Sequence, residues 1–119
     1  MSAWDGAPKN TEALYKHLTM LARRMRVETY GEIAAALGQE AGHEIAPVSL
    51  GSPLGFIRDN ICLKRGLPLL NSIAVNANTW KPGESFLPSG MSFGSSEDVL
   101  WRAAVIAAFS YPWDTVDVA

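Results

Sequence analysis

The sequence predicts a mainly α-helical fold carrying one small β-hairpin, and three observations point to it. Leu14, Leu18, Leu21 and Met25 recur at the spacing of one helix face. Thr29 and Glu32 stand in capping-box register ahead of Ile33, Ala34 and Leu37. After Gly66 the period changes, and Leu67-Pro68-Leu69-Leu70-Asn71-Ser72-Ile73-Ala74-Val75-Asn76 reads as a strand.

The elements follow in order. Residues 1–9 read as a flexible tail with Trp4 as its one anchor, and residues 10–119 as a single domain. Asn10 or Thr11 suits the cap of a first helix. The second helix runs over 29–37, and Gly38 ends it in a left-handed conformation. Residues 38–52 form a long connection pinned by Ile45 and Val48. Pro53 suits the first position of a third helix, with Ser52 as its cap, Leu54, Ile57 and Ile61 inward, and Gly66 closing it. Ser85-Phe86-Leu87 reads as the partner strand, joined by the turn chemistry of Asn78-Thr79-Trp80-Lys81-Pro82-Gly83. A Gly/Ser-rich loop at 89–96 leads to a last helix capped by Ser95 or Ser96. It carries Glu97 and Asp98 in its first turn, buries Trp101, Val105 and Ala108, and ends at Tyr111-Pro112. The expected core is Leu14, Leu18, Leu21, Ile33, Leu37, Leu54, Ile57, Ile61, Ile73, Val75, Trp101 and Val105. Three helices and a hairpin in this order give a winged helix-turn-helix with an added C-terminal helix.

Composition narrows the function. At 119 residues with 48% hydrophobic and 18% charged, the chain is that of a folded globular protein. No apolar run approaches a bilayer's thickness, and the N-terminus lacks the pattern of a signal peptide. The single cysteine, Cys62, excludes an internal disulfide and suits a cytoplasmic protein. Net charge is −2, unevenly spread: residues 53–83 hold Arg58, Lys64, Arg65 and Lys81 against Asp59, whereas residues 84–119 hold five acids against Arg102. Arg23, Arg24 and Arg26 are bunched at the end of the first helix. No Walker, dinucleotide, triad or metal-ligand spacing occurs, so neither catalytic residues nor a cofactor are expected. His17 reads as a boundary residue, Cys62 as a small core residue and Glu32 as a cap.

The stretch Arg26-Val27-Glu28-Thr29-Tyr30-Gly31-Glu32-Ile33-Ala34, then Leu54-Gly55, Gly66-Leu67-Pro68-Leu69-Leu70 and Ile73-Ala74-Val75-Asn76, resembles the DNA-binding domain of O6-alkylguanine-DNA alkyltransferases and alkyltransferase-like proteins. About half the chain is covered. The resemblance implies a winged helix-turn-helix that enters the minor groove, with Tyr30 at the position that meets the DNA backbone. Two departures accompany it. Asn71-Ser72-Ile73-Ala74 stands where the family carries its catalytic Pro-Cys-His-Arg, and Ser52 stands where the family carries the arginine that replaces a flipped base. Alkyl transfer needs an activated thiolate, and that position holds none.

The expected nucleic-acid-binding residues are therefore Tyr30, Ser52, Phe56, Arg58, Asn60, Lys64, Arg65, Lys81, Arg23 and Arg26. Asn60 suits a base edge, Lys64 a phosphate and Phe56 a sugar or a base step. The expected function is that of a small non-enzymatic DNA-binding protein, regulatory or damage-recognising, acting on double-stranded DNA. The other reading is a protein-interaction module of the same fold, an accessory or inhibitory factor of bacterial or phage origin, docking through Phe56 and Trp80. A continuous positive strip along Arg23, Arg58, Lys64 and Lys81 favours DNA, and a broken strip with exposed aromatics favours a protein partner.

Overall fold

The computed structural model describes residues 2–80, 82 and 97–117. Four helices dominate: α1 (Thr11–Arg23), α2 (Tyr30–Ala41), α3 (Gly51–Phe56) and α4 (Glu97–Ser110). Two very short strands, β1 (Glu28–Thr29) and β2 (Ala74–Val75), complete the described secondary structure together with 3₁₀ and π turns.

Helix α1 buries Leu14, Leu18 and Leu21 as its spacing predicts. Asn10 is its cap residue in the left-handed region, but its side chain makes no capping bond. Thr11 Oγ1 instead donates to the Pro8 carbonyl at 2.6 Å. Met25 departs from expectation: it lies beyond the helix with φ 52° and is 70% exposed. It closes α1 through a paired end motif, its amide donating to Ala22 O and that of Arg26 to Leu21 O.

The capping box forms at the start of α2: Glu32 N donates to Thr29 Oγ1 at 3.1 Å, and Thr29 N to Glu32 Oε1 at 3.0 Å. The helix does not stop at Gly38. It continues to Ala41, and Gly42, with φ 80°, supplies the left-handed end. In the connection Ile45 is buried, but Val48 is 88% exposed and pins nothing; Leu50 takes that part.

The third helical stretch also begins earlier than Pro53. A 3₁₀ turn over Pro47–Leu50 runs into α3 at Gly51, so Ser52 lies inside the helix and caps nothing. The stretch then widens to π geometry over Ile57–Leu63. Ile57 and Cys62, five apart, are both buried together with Ile61, which a widened turn permits. Gly66, at φ 67°, closes it, with Leu67 N bonding Cys62 O at 2.8 Å.

The expected strand over residues 67–76 is mostly not a strand. Leu70–Ile73 make a 3₁₀ turn, and only Ala74–Val75 are extended. Among the described residues these pair in parallel with β1, Glu28 opposite Ala74 and Thr29 opposite Val75. The apolar run reflects burial on all sides: Leu70, Asn71, Ser72, Ile73, Ala74 and Val75 are all buried, between α1 and α4. The expected partner strand 85–87, its Gly83 turn and the 89–96 loop lie outside the described residues.

Helix α4 covers this segment. Trp101 is half-buried, its indole Nε1 donating to Ser72 O at 2.7 Å, and Val105 is half-buried too, so neither joins the fully enclosed core. Ala108 and Trp113 do, with Trp113 Nε1 bonded to Ala108 O at 2.7 Å. At the other end of the chain, Trp4 packs against Tyr15 in a tilted arrangement, with ring centroids 5.3 Å apart. No described helix is long and apolar enough to cross a membrane.

Candidate functional site

The arginine bunch sits where α1 ends. The left-handed Met25 turns the chain there, and Arg23, Arg24 and Arg26 are all exposed. Arg23 Nη1 donates to Asp114 Oδ1 at 2.5 Å, a partner contributed by the C-terminal segment. Arg26 Nη2 lies 4.0 Å from Glu28 Oε2, and the other oxygen of Glu28 holds His17 Nε2 at 2.7 Å. His17 is thus a half-buried tie between α1 and β1. Tyr30 opens α2, half-buried against the core. The capping bonds from Thr29 hold the Glu32 carboxyl below its ordinary range, with Arg26 adding to the effect.

The outer face of the third helical stretch carries the rest. Arg58 turns onto its neighbour: Nε and Nη2 donate to Asp59 Oδ1 and Oδ2 at 2.7 and 2.8 Å. This forked pair raises the Arg58 guanidinium and lowers the Asp59 carboxyl, each chiefly through the shared hydrogen bonds. Arg65 Nη1 donates to the Asp117 carbonyl at 3.1 Å. Ser52, Asn60 and Lys64 are exposed, and Phe56 is half-buried. Lys81 lies outside the described residues. The expected strip is therefore interrupted, because Arg23 and Arg58 already face acids of this chain.

Two concavities flank these residues. A pocket of about 360 Å³ is bounded by Phe56, Asn60, Lys64 and Arg65 on one side and by Ser2, Ala3 and Asp5 on the other. The N-terminal wall was not among the residues anticipated from sequence, although Trp4, its anchor, was the visible signal. An open groove of about 910 Å³ runs along α2, lined by Glu28, Glu32 and Glu44 with Gln39 and His43 and, among the described residues, by no lysine or arginine. That groove repels phosphate, although Tyr30 lies at the start of the same helix.

Residues 71 and 72, where the resemblance would put a nucleophile, are sealed. Asn71 and Ser72 are buried, and among the described residues Ser72 Oγ has no hydrogen-bond partner and so no base beside it. Burial pushes the Cys62 thiol up to about 11, far from a reactive thiolate. Among the described residues no three His, Cys, Asp or Glu side chains gather as metal ligands. Compared with family models, with curated proteins and with solved structures, the chain matches none.

Proposed function

We propose that this chain is a non-enzymatic interaction module, a winged-helix-like helical core that offers one face of α4 to a protein partner. The carrying observation is that face itself: Val99 and Ile106 are 68% and 65% exposed, with exposed Ala103 between them at helical spacing. Apolar side chains at i, i+4 and i+7 suit the groove or helix of another protein. Trp80, 58% exposed, adds a second apolar point. The interrupted arginine strip and the acid-lined groove on α2 favour the same reading. We place the module in the reducing cytoplasm, in keeping with its buried lone thiol.

The test is site-specific photocrosslinking in the native host, with the crosslinker at Ile106 and a control at exposed Gln39 on α2. A discrete heteromeric adduct from position 106 alone supports the reading, and its absence counts against it.

Duplex DNA is the second reading, favoured by Arg24 and Arg26, exposed a few residues before Tyr30. It expects duplex affinity to fall with salt at a log–log slope of about −0.9 per neutralised phosphate, and Lys64→Gln to lower that slope by about one. Salt-independent behaviour counts against it.

A further inference from the structure

The pocket between the third helical stretch and the N-terminal segment joins Phe56, Asn60, Lys64 and Arg65, which the duplex reading also uses, to a wall of Ser2, Ala3 and Asp5 that neither reading uses. Its helical wall places Phe56, Asn60 and Lys64 four residues apart, with Arg65 beside them. The facing wall, Ser2 to Asp5, is held in place rather than loose. Ser2 N donates to Asp5 Oδ2 at 3.0 Å, Trp4 N to Ser2 Oγ at 3.1 Å and Asp5 N to Ser2 O at 3.1 Å. The Trp4 ring then fixes this turn on Tyr15 of α1.

The polar groups that line the pocket are mostly unspent. Among the described residues, the Lys64 ammonium and the Asn60 amide make no hydrogen bond or ion pair, and Arg65 commits only Nη1, to Asp117 O. Asp5 keeps one carboxylate oxygen free of the Ser2 amide. Four different chemistries therefore meet in one cavity: an aromatic ring, an amide that both donates and accepts, two cations and one carboxylate. The volume lies at the lower end of the range, about 300–1,000 Å³, that small-molecule sites occupy.

We propose that this pocket binds a nucleoside monophosphate. The base lies against Phe56, as planar heterocycles do on aromatic side chains. Asn60 pairs with its hydrogen-bonding edge, for which a carboxamide has matched donor and acceptor atoms. Lys64 and Arg65 take the phosphate, with Arg65 offering the nitrogens it has not committed. Asp5 accepts from the ribose hydroxyls. The cations outnumber the carboxylate by one, which selects for an anionic ligand over a neutral nucleoside. The same chemistry is offered by a free nucleotide and by the 5′-phosphorylated end of a single strand.

The experiment is a ¹⁵N–¹H NMR titration of the whole chain with AMP, GMP, CMP and UMP at low salt, beside uncharged nucleosides, inorganic phosphate and a short 5′-phosphorylated oligonucleotide. Saturable shifts confined to the Ser2–Asp5 and Phe56–Arg65 amides are expected from at least one monophosphate or from the 5′-phosphorylated strand, and weaker ones from its nucleoside. The arm that saturates identifies the source, either a free metabolite or a strand end. Lys64→Gln, at an exposed position, should weaken binding about tenfold, as loss of a charge-assisted contact does. Asn60→Ala should reduce the difference among the four bases. No saturable shift with millimolar monophosphate or with the strand overturns the proposal. So does binding that Lys64→Gln leaves unchanged, or shifts located elsewhere. None of these outcomes bears on crosslinking from α4, so the two readings stand or fall separately.

Discussion

Gly38 permits a prediction whose sign depends on one distance. It lies inside α2 with ordinary helical backbone, where replacing glycine by alanine stabilises a helix by about 1 kcal/mol. A Cβ built there meets the His43 carbonyl oxygen at 2.8 Å and the Ile45 amide nitrogen at 3.3 Å. Both are backbone atoms, and they cannot easily retreat: His43 N and Gly42 N both bond to Gly38 O, and Ile45 is buried. Overpacking of this kind costs about 1–3 kcal/mol, and more when main chain must move. Gly38→Ala is therefore expected to destabilise the protein by about 1–2 kcal/mol net. Gly51→Ala is the matched control. Gly51 has helical angles (φ −56°, ψ −51°), and a Cβ there meets no atom within 4 Å. It should stabilise by about 0.5–1 kcal/mol. Urea unfolding of both variants, compared at equal slope, measures the two effects with opposite signs. A Gly38→Ala variant as stable as Gly51→Ala would refute the close-approach argument.

Met25→Gly should stabilise the protein by about 1 kcal/mol, because an exposed non-glycine side chain is held in the left-handed region; a shift in thermal midpoint of a few degrees reads it. Thr29→Ala removes both the capping acceptor and the partner of Glu32, and should cost about 1 kcal/mol by denaturant titration. The folded Cys62 thiol ionises only near 11, against an ordinary value of 9.0, so the unfolded chain loses this proton first. The stability this burial contributes is intact below pH ~9 and is lost as pH rises towards ~11, at up to about 1.4 kcal/mol per unit. Tyr15, also raised chiefly by burial, acts in the same direction from about its ordinary value upward. Cys62→Ala should flatten the lower part of that fall, and an unchanged pH profile would contradict the assignment. Incubation with alkylated duplex DNA should leave Cys62 without an adduct by mass spectrometry.

Local chemistry was legible in the sequence, and long-range chemistry was not. The Thr29–Glu32 box, the Gly66 stop and the Leu14, Leu18 and Leu21 face of α1 all depend on neighbours within a turn, and each formed as read, whereas Met25 falls beyond the helix. Gly38 was misread because a glycine needed for close approach looks the same as one needed for positive φ. The 67–76 run was misread because enclosure by α1 and α4 demands apolar residues whatever the backbone does. The charged face suffered most. The partner of Arg23 lies at Asp114, far along the chain, so a count of local charge saw a free cation where the fold pairs it with an acid. The pocket's second wall was hidden for the same reason, since nothing near Phe56 in the chain announces Ser2 or Asp5.

The pairing of Glu28–Thr29 with Ala74–Val75 bears on how the molecule folds. Two residues per strand contribute few ladder bonds, yet they close a loop that contains α2 and all of the third helical stretch. Closing so long a loop costs entropy that only already-formed helices can reduce. Docked helices shorten that loop, so we expect the strands to meet late and the β-pair to form on the native side of the rate-limiting barrier. Weakening it at Val75 would leave the refolding rate nearly unchanged and hasten unfolding instead, so these two short strands govern how long the folded molecule persists rather than how quickly it is made.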